Sequence, residues 1–465
     1  MGHGRRPRIA LFVPYSKLWE DTVGYDVQRH RAALADGLAK AVAADADVVA
    51  SAAIATRDEG AAAGKLASAA RAEAVVVAQT MGVQPAFMLS ALDELRGLPV
   101  VVWWVQRAVE LGEDFDHAAI VDEGGAVGTP MLTNVLTRRR MPFQLVVGRS
   151  TDRETVAQLV EAIQVGVAAS RLSRARVGRV GEPIDGYDCV ATKPSVLETL
   201  IGTVVEIAPA EIRRSYAMTE PAVVTRMAED VRVALDVSPN VSGEGFLRSL
   251  RLAAAMDDIC REFRLDAGAM NCHVPEIRFG EEIGVTPCFA LGQLTTRGIP
   301  WTCAGDVLTV IPMLALKLLG EACLYHELEA YDQATGEFVV ANTGEHDLAL
   351  AGAGRIQLVR NEWFANDRFC GVCACFQLRP GPAALVGFTE IDGVHRFVVA
   401  PGEVTTTSWP KLATVNGSFR FSGGLPSWVR WCEAGVNHHS ALTSASAVPK
   451  LARMLRLLDV ELVEV

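Results

Sequence analysis

Arg8-Ile9-Ala10-Leu11-Phe12-Val13 carries one charge followed by five apolar side chains. A short run that is apolar at every position reads as a strand buried on both faces, as in a parallel sheet covered by helices. Helical periodicity follows over Val27–Val42, then a second short strand at residues 47–50. The pattern predicts a helix over 65–73, a strand over 74–78, a helix over 85–96 and a strand over 98–105. A helix over 129–140, a strand over 143–147 and a long helix over 152–172 close the series. Strands alternating with helices of this length form βαβ units.

A second α/β unit begins after residue 172. Its strand, 177–181, is followed by the loop Glu182-Pro183-Ile184-Asp185-Gly186. Gly178 and Gly181 lack the spacing of a dinucleotide fingerprint. After residue 323 the texture changes to strand-like runs separated by turn signals at Thr335-Gly336, Pro380-Gly381, Pro401-Gly402 and Asn416-Gly417. This predicts an antiparallel β unit. The expected domains are 1–172, 173–323 and 324–465.

Composition bounds the function classes. The 465 residues include 44 Lys+Arg and 55 Asp+Glu, a net charge of −11. Half of them are apolar, which excludes disorder. An acidic chain whose longest basic run is Arg138-Arg139-Arg140 is a poor phosphate-backbone binder, so no nucleic-acid partner is expected. The best membrane candidate, residues 307–319, contains Pro312 and Lys317 and falls short of roughly 20 apolar residues. No secretory leader is read, and residue 6 is not the Ser or Thr that myristoylation requires after Met1-Gly2. Ten dispersed cysteines then read as reduced thiols, and a cytoplasmic location is expected.

Metal-capable side chains concentrate in Tyr325-His326-Glu327-Leu328-Glu329, in Gly344-Glu345-His346-Asp347 and in Asn437-His438-His439-Ser440. Glu327 and Glu329 share a face if the stretch is extended. Carboxylate with imidazole suits Mn²⁺, Fe²⁺, Co²⁺ or Zn²⁺; solvated hairpin charges and a capping histidine are the plain alternative. Cys370, Cys373 and Cys375 resemble a knuckle without the second pair that structural zinc needs, and core cysteines explain them better. Neither GxSxG nor a P-loop occurs. Trp103-Trp104 reads as core packing before it reads as a pocket wall. Thr80 and Gln106 stand at the carboxyl ends of expected parallel strands, where open sheets bind ligands.

An ordered set of segments resembles the L-fucose isomerase / L-arabinose isomerase superfamily: residues 176–181, 186–189 and 201–207, then 285–291 and 298–306, then 322–346 and 434–439, with 80–92 and 128–148 before them. The resemblance spans nearly the whole chain. It implies an α/β fold with two flavodoxin-like doubly wound domains and a β-rich C-terminal domain. It also implies a homo-oligomer, trimer or hexamer, with sites at subunit interfaces, and aldose–ketose isomerisation of a small sugar or sugar-like substrate with Mn²⁺ or a similar ion. One carboxylate ligand maps to Glu327 or to Glu329, depending on the gap. His346 and His439 map to the histidine ligands, and His438 lies beside the latter. Thr80, Gln106 and His438 are the substrate-binding candidates, and Glu327 and Asp306 the catalytic ones.

One departure matters. The family's glutamate, both ligand and base, corresponds to Ala304 in Cys303-Ala304-Gly305-Asp306. Loss of a base commonly costs a factor of roughly 10²–10⁴ in rate. Asp306 or Glu276 is then the expected substitute, although Asp306 also reads as a helix N-cap. A different metal-assisted reaction (lyase, epimerase or hydrolase) and a catalytically lapsed sugar-binding protein stay open beside the isomerase.

Overall fold

The computed structural model describes residues 6–465, so the Met1-Gly2 start lies outside the described residues. The chain forms two units, the first ending at Ser170 and the second running from Arg171 to Val465.

In the first unit, β1 (Arg8–Pro14), β2 (Asp47–Ile54), β3 (Ala74–Gln79), β4 (Val100–Val105) and β5 (Phe143–Gly148) form one parallel sheet in the order β2-β1-β3-β4-β5. Ile9, Leu11 and Val13 pack with Leu38, Leu159 and Ile163 on one face. Ala10 and Phe12 pack with Leu89, Leu92 and Leu132 on the other. Alternate side chains thus bury on opposite faces, which is why the opening run tolerates no polar residue. Removing the fully buried Phe12 ring would cost about 3–5 kcal/mol. The chain leaves β1 for β2 on one side and reaches β3 on the other, creating a switch point at the carboxyl ends of β1 and β3.

The helix expected over 65–73 is instead Arg57–Ala69, started by Thr56, whose hydroxyl accepts from the Glu59 amide. Gly60 and Gly64 look like breakers in the sequence. In the fold they allow close packing: a Cβ on Gly64 would lie 2.6 Å from the Ala91 carbonyl.

The second unit holds a four-stranded parallel sheet in the order Trp301–Thr302, Ala267–Met270, Arg176–Val180, Thr203–Ile207. This repeats the winding of the first sheet with one strand fewer. Beyond it, Gly381–Ile391, His439–Ser444, Leu324–Asp332, Glu337–Ala341, Asn416–Phe421 and Val394–Val404 pair antiparallel in that order. The first and last also pair with each other over their whole length, which closes a six-stranded barrel. Leu324, Phe338, Val340, Leu385, Val398, Phe419 and Leu442 fill its core.

Two expected turns are corrected. Pro401-Gly402 lies inside Val394–Val404, and Asn416-Gly417 begins a strand. Pro401 has no amide to donate, but its carbonyl accepts from the Ser422 amide. Helices Leu425–Glu433 and Val448–Leu457 were not foreseen. The Cys373 and Cys375 thiols donate to the Ala413 and Leu412 carbonyls, while Cys370 accepts from Arg360. Trp103 is buried and donates to the Gly148 carbonyl. Among the described residues no helix is long and apolar enough to cross a membrane.

Candidate metal centre

Strand Leu324–Asp332 pairs with His439–Ser444 so that Glu327 lies directly opposite His439. Register alone therefore brings together two side chains 112 residues apart. His439 Nε2 meets Glu327 Oε1 at 3.0 Å, and His439 Nδ1 meets Asp306 Oδ2 at 2.9 Å. His438 Nε2 approaches the same Glu327 oxygen at 3.7 Å. Donor atoms of Glu327, His438 and His439 all fall within 4.8 Å of one another. His439 is buried, Glu327 half-buried and His438 exposed.

Asp306 serves two purposes at once. Its Oδ1 accepts the Leu308 and Thr309 amides at 3.0 and 2.9 Å, capping the turn into helix Val310–Leu318. Its Oδ2 faces His439. Both oxygens of this fully buried carboxylate are thus engaged. The Tyr325 hydroxyl lies 2.7 Å from His439 Nδ1. Tyr325 stands two residues before Glu327 on the same strand face, a relation that the period of a strand makes visible in the sequence.

Burial alone would lower the His439 pKa, but its bonds to Asp306 and Glu327 overcome that and lift it to about 9. Burial likewise opposes ionisation of Glu327, yet His439 holds its carboxyl below the usual value. Glu329 occupies a bulge: Leu328 pairs with Val340 and Ala330 with Val339, leaving Glu329 unpaired between them. Partial burial, then the charge of Glu327, raises Glu329 to about 7.

His346 is not brought into this cluster. The Thr343-Gly344 turn sends it against helix Cys288–Thr296, where a Cβ on Gly292 would lie 2.1 Å from His346 Nδ1. Its Nε2 accepts from Gln293 at 3.2 Å, and its ring lies 5.7 Å from Phe289. Burial holds it neutral, with the pKa lowered to about 4. Thr80 and Gln106 belong to the first unit. Thr80 follows β3 and is buried, and its hydroxyl has no hydrogen-bond partner. Gln106 follows β4, is exposed, and donates its amide to the Gly148 carbonyl.

A cavity of about 70 Å³ adjoins the cluster, walled by Ala304, Tyr325, Glu327 and His439 together with Cys272, Cys303 and Thr343. Ala304 is left-handed (φ +57°), and its amide oxygen accepts from Ile184. Cys272 follows the strand Ala267–Met270, so the carboxyl-end rule that singles out Thr80 also applies to it. A larger cleft of about 540 Å³ lies in the first unit between residues 41–45 and 150–164. It brings together no three metal donors among the described residues.

Proteins similar to this chain are sugar isomerases. Over 381 residues, 81% of this chain and 81% of each relative, it is 21% identical to the sulfoquinovose isomerases of Priestia aryabhattai and Priestia megaterium. Over 361 residues, 73% of this chain and 69% of the relative, it is 24% identical to the L-arabinose isomerase of Nocardioides sp.. No protein-family model matches the chain.

Proposed function

We propose that this protein is a divalent-metal-dependent aldose–ketose isomerase acting on a small sugar or sugar-like substrate through an enediol. The observation that carries this reading is the cross-strand pair Glu327–His439 with Asp306 behind the imidazole. The donor set fits an ion. A carboxylate that fixes one ring nitrogen leaves the other for a metal, and outer partners of this kind orient ligating histidines. Glu327, His439 and His438 would hold the ion, Mn²⁺ first, with Fe²⁺, Co²⁺ or Zn²⁺ suiting the same donors. When bound, it would supply polarisation of the substrate carbonyl.

The chain's own residues divide the remaining work. Asp306, both oxygens engaged, positions His439 and does not meet substrate. Glu329, set apart at its bulge beside Glu327, would take the proton from the carbon alpha to the carbonyl and deliver it to the former carbonyl carbon, while the hydroxyl proton passes between the two oxygens. It fills the role left vacant at Ala304. A cavity of about 70 Å³ admits water and an ion, whereas ligand pockets run from about 300 Å³. The exposed His438 marks the side on which substrate enters. Further walls supplied by a homo-oligomer, trimer or hexamer, and operation in the cytoplasm belong to the same reading.

Solvent deuterium exchange tests it. The Mn²⁺-reconstituted protein is expected to wash deuterium into at least one member of a panel of neutral and sulfonated aldoses and ketoses. Glu329→Gln should lower that exchange by a factor of about 10² or more while metal content persists. Absence of exchange with every sugar, in protein shown to carry metal, would sink isomerase chemistry.

A further inference from the structure

At the switch point of the first unit a second polar cluster converges on one carboxylate. Arg31, in helix Val27–Val42, is fully buried and donates Nη2 to Asp122 Oδ1 at 2.6 Å. Arg107, just after β4, donates to Asp122 Oδ2. The Tyr25 hydroxyl donates to Oδ1 at 2.7 Å. Arg31 Nη1 also donates to His30 Nδ1 at 3.3 Å. Arg31 Nη2 touches the sulfur of Met81, the second residue after β3, at 3.7 Å, which locates the group at the carboxyl end of the sheet.

The charges do not balance. Two guanidiniums share one carboxylate, whose oxygens are already occupied. His30, its pKa lowered by burial and then by Arg107, adds no negative charge, and Tyr25 is held protonated with its pKa at about 12. Buried charges are ordinarily matched. Here Arg31 Nε is buried without a partner, and so is the Thr80 hydroxyl at the end of β3. Arg107 keeps 28% of its side chain exposed. Open α/β sheets bind ligands in this crevice, and a planar guanidinium matches an oxyanion in two-point geometry.

We propose that this cluster is a binding site for the oxyanion group of a small molecule (a sulfonate, phosphate or carboxylate), with Arg107 as the contact and Arg31 as the buried charge behind it. The site rests on the first unit alone and is independent of the metal reading. Isothermal titration of the full-length, metal-stripped protein with methanesulfonate, inorganic phosphate and acetate in low-salt buffer decides it. At least one anion is expected to bind once per chain in the millimolar range or tighter, and the preferred one identifies the group recognised. Arg107→Gln should weaken that binding at least tenfold, and Arg107→Lys, which keeps the charge without the fork, severalfold. Arg96→Gln, at an exposed arginine of the same unit, should leave it unchanged. Failure of all three anions to bind wild type, or equal binding by Arg107→Gln, overturns the site and makes the cluster a structural ion triad. If Arg107→Gln does not fold, Arg107→Lys decides, equal binding again counting against the site.

Discussion

Asp122 and His439 are each held between two groups of opposite charge, with the signs exchanged. In the first unit one carboxylate stands between two guanidiniums. In the second, one imidazole stands between two carboxylates. Neither count closes. The first cluster keeps a positive surplus, and the second keeps a negative one. A structural ion pair needs no third member of either sign, because the extra charge must be desolvated with little in return. The comparison teaches that an odd buried charge points outward to whatever completes it. A cation suits the barrel cluster, and an anion suits the switch point.

The largest way to break the comparison is to remove the central group of the first cluster. Asp122→Ala strands a fully buried Arg31, and denaturant unfolding should show a loss of about 3–5 kcal/mol. A loss below about 1 kcal/mol would mean that Arg31 is satisfied elsewhere.

Acid and base separate the two histidine environments of the second unit. His346, with a folded pKa near 4 against 6.5 unfolded, favours the folded state above pH 6.5. That contribution is lost as pH falls through about 4, and its size is roughly 3 kcal/mol. His439, raised to about 9, has the opposite slope in metal-free protein: its contribution is full below pH 6.5 and is lost as pH rises through about 9. Melting temperature against pH should therefore flatten on the acid side in His346→Gln and on the alkaline side in His439→Gln. Identical profiles for both variants would refute the assignment.

Smaller effects sharpen the metal side. By equilibrium dialysis, His439→Ala should weaken Mn²⁺ binding more than 100-fold. Asp306→Asn, which alters only the group behind the ligand, should weaken it by about 10–100-fold. Equal losses would make Asp306 a ligand. The smallest expected effect is that of Ala304→Glu, which adds a carboxylate beside the cavity and should tighten Mn²⁺ severalfold. Unchanged affinity would mean that the Ala304 wall faces away from the ion.

The fold was legible where a single period governs the chain. The opening strand and β3 bury every second residue on each face, so their apolar runs leave one reading. Helices Leu425–Glu433 and Val448–Leu457 were missed among turn signals, although Pro426 and Pro449 sit in their first turns, where proline starts helices. Family likeness singled out Glu327 and His439 as ligand candidates and His438 as a substrate-binding neighbour, and the structure brings these three side chains together. The N-cap duty of Asp306 was legible; its second duty, toward His439, was not, since it uses the other oxygen of the same side chain. His346, a ligand candidate through the same likeness, lies against helix Cys288–Thr296, since a linear pattern does not reveal which way a turn aims a ring. Arg31 and Asp122 are 91 residues apart with no pattern linking them, so only the sheet's winding discloses that pair.

The pairing of Glu327 with His439 also fixes an order of events. On the ribosome Glu327 emerges 112 residues before its partner, and the strands Glu337–Ala341, Gly381–Ile391, Val394–Val404 and Asn416–Phe421 are made in between. Contacts of such long range form late, after closure entropy has been overcome. An ion thus has no complete set of donors to gather while the chain is growing. The barrel must close first, so an ion held there would be a passenger of folding rather than its template.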